Sequence, residues 1–324
     1  MKTVRILSID GGGIRGLLPI IFLKHLEKRL NGAKLHTLFD MVTGTSIGAF
    51  FACGIAAPKP LSAQYMSDLM IVEKERIFPP DPLRYVTSVI SSSKYKADPL
   101  EELLKKVFGS SRLSEAVTGL LIPAFEIERQ EAEFFKSWKA LGHGIKPNEF
   151  PALFDYELRH VVRASSAAPT YFPPALIHST AGMSGAYIDG AIVANNPAMC
   201  ALASARKLYP EATRFIILSL GTGAHDQPLY YSQAKSFGLL SWPRPIINAL
   251  MNAAGDVVRY QLEEAPDVEQ YRIEFDISAA SPDIDDASDK NIRDLIVIGE
   301  AEARKNDALI SALPQIFSTP AAAV

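Results

Sequence analysis

Three short stretches of this 324-residue chain carry residue types that can do chemistry. Gly44–Thr45–Ser46–Ile47–Gly48 sets a hydroxyl between glycines two residues away on either side. That spacing suits a serine on a turn too tight for larger neighbours, presented at a strand end with a helix N-terminus behind it. Asp10–Gly11–Gly12–Gly13–Ile14–Arg15–Gly16 follows an apolar run and holds four glycines in its last six positions. Backbone N–H groups there can face a phosphate or the negative oxygen of a tetrahedral intermediate. Tyr187–Ile188–Asp189–Gly190–Ala191 ends a short apolar run on a carboxylate, where a strand end would present it.

A serine nucleophile needs a base, and histidine is the usual one, in the chain order serine, acid, histidine for this kind of turn. His25 and His160 fall in predicted helices, His36 lies ten residues before Ser46, and His178 follows an apolar run. His225, in a predicted loop, is the histidine a triad would use. Asp189 offers a different base. The glycine turn also satisfies G-x-G-x-x-G over residues 11–16, with Asp40 placed 24 residues past Gly16, near where a dinucleotide fold keeps its ribose-binding acid. A dinucleotide-binding protein is therefore the alternative reading. It requires Asp40 to end a strand and gives no role to Ser46 or Asp189.

The elements that position these residues alternate. A strand over 4–9 leads into the glycine turn, and a helix over 17–30 carries Pro19 in its first turn, where a missing N–H costs little. A second strand over 39–42 precedes the serine, and an almost wholly apolar helix covers 47–55. Further along, the pattern predicts a helix over 98–109 capped by Asp98, a strand over 120–127 and a helix over 156–166. A helix over 197–209 follows Asn195–Asn196. A strand over 214–220 ends at Gly221–Thr222–Gly223. Helices over 246–262 and 291–317 flank a last strand over 271–276. Strand–turn–helix repeated in this way predicts an α/β fold with a mostly parallel sheet. There is no linker between halves, so residues 4–203 read as the core and 204–324 as the C-terminal part of the same domain.

Composition narrows the class. A net charge of −3 argues against a nucleic-acid partner, and two cysteines, Cys53 and Cys200, set in small apolar residues, read as free thiols rather than a disulfide or zinc framework. The longest apolar stretch, 47–57, is short of the ~20 residues that span a bilayer. With no leader-like start, a soluble cytoplasmic protein is expected. Residues 283–289 are acidic without the glycine-centred spacing of a calcium loop, and read as a solvated cap of the last helix. Trp138, Trp242 and Phe134–Phe135 read as core. The proline- and serine-rich residues 78–96 are expected to form a mobile lid over Ser46.

In these motifs the chain resembles the patatin-like phospholipase family: a D-G-G-G-x-R-G turn at 10–16, a G-x-S-x-G elbow at 44–48 and a D-G-[GA] aspartate at 189–191. The stretch Ala164–Ser165–Ser166–Ala167–Ala168–Pro169 and Asn195–Asn196–Pro197 are similar too, and the last helix resembles that of bacterial members. The resemblance implies a three-layer α/β/α sandwich and a lipid acyl hydrolase. It implies a Ser46–Asp189 dyad and an oxyanion hole from Gly11, Gly12 and Gly13, with no histidine, cofactor or metal. Asp10, Arg15, Gly16, Gly44, Gly48 and Gly190 would support the motifs. Arg15 reads as pairing with a carboxylate to hold its loop, with positive potential at the oxyanion site as the alternative. It further implies a lipid or phospholipid substrate met by transient contact with a membrane surface. A small-molecule activator, as in some bacterial relatives, is compatible with it.

Overall fold

Along the first strand, Val4 and Ile6 join one hydrophobic cluster while Leu7 and Ile9 join another, all fully buried. A strand apolar on both faces belongs inside a sheet covered by helices on both sides. The computed structural model, which describes residues 2–80, 93–223, 229–238 and 241–318, has that arrangement. The strands are β1 (Lys2–Ile9), β2 (Met41–Gly44), β3 (Gly119–Glu126), β4 (Glu131–Lys136), β5 (Ala175–His178), β6 (Ser184–Ile188), β7 (Ala212–Leu220) and β8 (Val268–Ile273). They form one sheet in the order β5-β6-β3-β2-β1-β7-β8, with β4 paired to β3. From β3 through β8 the neighbours run parallel, whereas β4 and β6 lie antiparallel to β3, and β5 antiparallel to β6.

The principal helices are α1 (Leu17–Lys28), α2 (Ile47–Ala56), α3 (Ala63–Ile77), α4 (Asp98–Phe108), α5 (Leu158–Ser165), α6 (Ala198–Leu208), α7 (Pro243–Glu263), α8 (Asp289–Lys305) and α9 (Asp307–Ser318). One layer packs α1, α2, α3, α8 and α9 on Leu7, Ile9, Val42 and Leu218. The other packs α6 and Leu262 of α7 on Val4, Ile6, Met41, Phe215 and Ile217. The fold is a three-layer α/β/α sandwich, and β7 and β8 place the C-terminal part of the chain in the same sheet as β1. Helix α2 is apolar all round because nine of its ten residues are buried. No described helix is long and apolar enough to cross a membrane.

Several boundaries differ from the sequence pattern. β2 starts at Met41 because its register is set by Ile6–Ile9 of β1, and Phe39 instead packs its ring 5.1 Å from that of Phe317. β8 lies three residues earlier than expected, since Phe215–Leu220 of β7 pair with Val268–Ile273. Ala97, not Asp98, is the cap of α4, and Asp98 opens the helix ahead of Pro99. The terminal helix is two helices divided at Asn306, whose side-chain amide bonds the Glu302 carbonyl. Of the predicted lid, residues 81–92 lie outside the described residues. The flanking Phe78 and Tyr95 pack against each other and Phe172.

Helix α2 sits close against the sheet at Gly48, where a Cβ would stand 2.2 Å from the Ile9 carbonyl oxygen. Gly48→Ala is expected to cost ~1–3 kcal/mol in urea denaturation through that overlap, despite alanine's better helix propensity. Unchanged or raised stability would show that α2 does not need this seat on β1.

Candidate active site

Between the end of β2 and the start of α2 stands Ser46, with φ 56° and ψ −118°. A non-glycine residue in this region carries strain of order 1–3 kcal/mol and persists only where its surroundings over-determine it. Here they do. The Thr45 N–H donates to the Ile9 carbonyl (3.1 Å) and the Thr45 hydroxyl to the Ala194 carbonyl (2.6 Å). The Ser46 N–H donates to Ser165 Oγ at 3.1 Å. Gly44 and Gly48 lie so close that a Cβ on Gly44 would meet the Gly48 carbonyl at 2.1 Å.

The glycine turn leaves the end of β1 beside this serine. The Gly11 N–H donates to the Asn195 carbonyl (3.2 Å), so the three successive free amides expected from sequence narrow to two. Gly12 and Gly13 line a cavity together with Ser46 and Asp189, and their N–H groups have no acceptor among the described residues. Gly13 has φ +56°, and the Ile14 N–H is held by the Ile284 carbonyl at 2.8 Å. Thr222, after β7, donates to the Gly11 carbonyl (2.5 Å) and stands against Gly12. Gly16 packs on Ile47, and Gly190 backs onto the Pro123 carbonyl.

Asp10 is an anchor beneath the turn. Arg272 of β8 donates to both its oxygens (3.1 and 2.7 Å) and to Ser219 Oγ (2.9 Å). Burial raises the Asp10 pKa to about 6, against the pull of Arg272. Arg15 departs from the expected carboxylate pairing: its buried Nε has no hydrogen-bond partner among the described residues, and Glu274 and Asp283 act on it only through space. Burial pushes its pKa down.

Asp189 follows β6 and is 3% exposed. Its N–H donates to the Ala167 carbonyl and that of Gly190 to the Ser165 carbonyl, both at 3.1 Å. Its Oδ1 accepts the Ala191 N–H at 2.8 Å. Burial raises its pKa to about 7; the Ala191 N–H and the Ser46 hydroxyl oppose that rise, and no cation among the described residues helps them. The cavity has a volume of about 330 Å³, with walls from residues such as Ile47, Phe50, Leu69, Met70, Leu104 and Phe172. Among the described residues Lys74 is the other charged one in the lining, and its amine is held by Asp289 and Glu75 at 2.8 Å each.

The remaining candidates fall elsewhere. His25 pairs with Glu300 (2.8 Å) and His178 with Ser184 (2.7 Å); no described histidine lines the cavity, and His225 lies outside the described residues. Asp40 is clasped by Arg5 (2.8 and 2.9 Å) at the start of β2, the end of the sheet opposite the glycine turn. The dinucleotide reading thereby loses its ribose-binding acid, because that acid must follow the second strand. Residues 283–289 are in part the solvated cap expected, with Asp283, Ser288 and Asp289 exposed, and in part a strap. Asp285 accepts from Lys94 and from the Tyr95 hydroxyl (2.6 Å), and Asp289 from Lys74, while Ser288 does cap α8. No cluster of metal-ligating side chains occurs among the described residues. Phe135 is core, packed against Tyr156 and Tyr187, whereas Trp242 is 40% exposed.

Fold and site define an α/β protein that carries a serine on a strained strand-to-helix turn above an apolar cavity. The family model described as patatin-like phospholipase matches residues 7–202. The chain is 31% identical to Patatin-like protein 2 of Oryza sativa subsp. indica, over 94% of this chain and 85% of the relative. It is 32% identical to Patatin-like protein 2 of Arabidopsis thaliana, over 81% and 72% of the two chains. With Patatin of Solanum tuberosum it shares 27% identity over 94% and 84%. The chain belongs to the patatin-like phospholipase family, a family of lipid acyl hydrolases.

The raised pKa of Asp189 has a sign that can be checked. Folded, it holds its proton up to about pH 7; unfolded, it releases it near the ordinary ~4. The site therefore subtracts stability as pH rises between those values, and the full loss remains above them. Asp189→Asn is expected to be more stable than the parent at about pH 8, by ~1–4 kcal/mol, with the gap closing below about pH 4. Urea denaturation at both pH values checks this, and a less stable variant at pH 8 would contradict it.

Proposed function

We propose that this protein hydrolyses lipid acyl esters, as a phospholipase A or lysophospholipase, with Ser46 as nucleophile and Asp189 as its base. The observation that carries the reading is one apolar cavity lined by Ser46, Asp189, Gly12 and Gly13 together. The carboxylate takes the hydroxyl proton as Oγ attacks the acyl carbonyl carbon. The carbonyl oxygen becomes an oxyanion facing Gly12 and Gly13, where each preorganised donor contributes ~10²–10³ in rate. Asp189 passes the proton to the departing alcohol, then takes one from the water that attacks the acyl-enzyme and returns it to Ser46 Oγ as the fatty acid leaves. An ordinary carboxylate is a weak base for serine; burial gives Asp189 a pKa near neutrality, suited to both halves of the cycle.

Aliphatic and aromatic walls suit an acyl chain, drawn from a membrane or micelle surface during transient contact. Gly11 serves this reading through its backbone anchor on Asn195, and Asp10 through Arg272.

The purified protein is expected to release fatty acid from dispersed phosphatidylcholine or a short aryl ester. Ser46→Ala should lower kcat by at least about 10³-fold and Asp189→Asn by a similar factor, both with native circular dichroism. Wild-type turnover by folded Ser46→Ala protein would overturn the mechanism.

A further inference from the structure

Ser165, the last residue of α5, touches both halves of the site without lining the cavity. It is fully buried. Its Oγ accepts the Ser46 N–H and its carbonyl accepts the Gly190 N–H, each at 3.1 Å. Two residues on, the Ala167 carbonyl accepts the Asp189 N–H at the same distance. Its Oγ also lies 3.0 Å from where a Cβ on Gly190 would stand. One turn of chain thus holds the backbone of the nucleophile and the backbone of the carboxylate.

The need for such a hold comes from the strained turn. Ser46 follows the end of β2 and precedes the first residue of α2, so neither the sheet nor the helix supplies an acceptor for its N–H. A side-chain hydroxyl from a third element does so. Proton transfer works over ~2.6–3.2 Å between heavy atoms, and a misplacement of ~1 Å can cost about 10²-fold in rate.

We propose that Ser165 is a positioning residue, which sets the separation of the Ser46 hydroxyl and the Asp189 carboxylate by holding the Ser46 N–H on its Oγ and the N–H of Gly190, the residue after Asp189, on its carbonyl. The inference rests on the Ser46–Asp189 reading. If the clamp is loosened, the carboxylate loses the Ser46 hydroxyl that favours its charged form. The pH at which activity reaches half its maximum then moves upward.

The test is the pH profile of kcat per active site on a soluble ester, with active sites counted by covalent titration so that misfolded protein does not enter the rate. Ser165→Ala removes the acceptor. Ser165→Cys keeps the shape with only a weak acceptor, and serves where the alanine variant folds poorly. Both are expected to lose about 10–100-fold in kcat per site, with KM within about threefold and a raised midpoint. Ser165→Thr, which keeps the oxygen, should regain most of the loss. Two results would overturn the proposal: kcat per site within twofold of the parent for both variants, or a fall in kcat with an unmoved midpoint. Ser46→Ala is assayed alongside. If it turns over ester like the parent, the Ser46–Asp189 reading itself fails. If it is inactive while the Ser165 variants match the parent, the positioning role alone fails.

Discussion

A serine held at φ 56° is the constraint around which the rest of the site is arranged. Nothing in serine favours that conformation, so its neighbours must supply the preference. They come from distant parts of the chain: Ile9 at the end of β1, Ala194 beyond β6 and Ser165 at the end of α5 each bond the Thr45–Ser46 segment. The parallel strands bring β1 and β2 to a common end, and the glycines at 44 and 48 let α2 seat on that end. Strain at one residue is thus balanced by contacts spread over the sandwich.

Two buried carboxylates show how environment divides the work. Asp10 and Asp189 are both nearly inaccessible, and burial raises both pKa values. Arg272 grips both oxygens of Asp10, which fastens the glycine turn to β8. Asp189 has no cation beside it among the described residues, and it lines the cavity together with Ser46. The paired carboxylate is suited to holding structure, and the unpaired one to exchanging a proton near neutrality.

The motifs were legible because their chemistry is local. A glycine two residues either side of a serine, or an aspartate followed by glycine, states a turn in a few letters. The alternating elements likewise made the α/β class readable, since buried parallel strands and their helices carry strong apolar patterns. What escaped was set by pairing at a distance. Leu176 and His178 of β5 are exposed, and that short strand exists through its partner β6. Arg272 lies in a strand of mixed residues, and only the register of β7 with β8 brings it opposite Ser219, in reach of Asp10. The acidic run at 283–289 looked solvated, yet Ile284 holds the glycine turn through a backbone carbonyl, which no side-chain pattern reveals.

The central claim, that Asp189 activates Ser46, is tested most directly by a fluorophosphonate probe. The rate of covalent modification would be followed across about pH 5 to 9 and the modified peptide located by mass spectrometry. A single adduct on Ser46 is predicted, with a rate rising with pH and half-maximal near the Asp189 pKa of about 7, and lost in Asp189→Asn. An adduct on another residue, or a Ser46 rate that is flat with pH and indifferent to Asp189→Asn, would contradict the account.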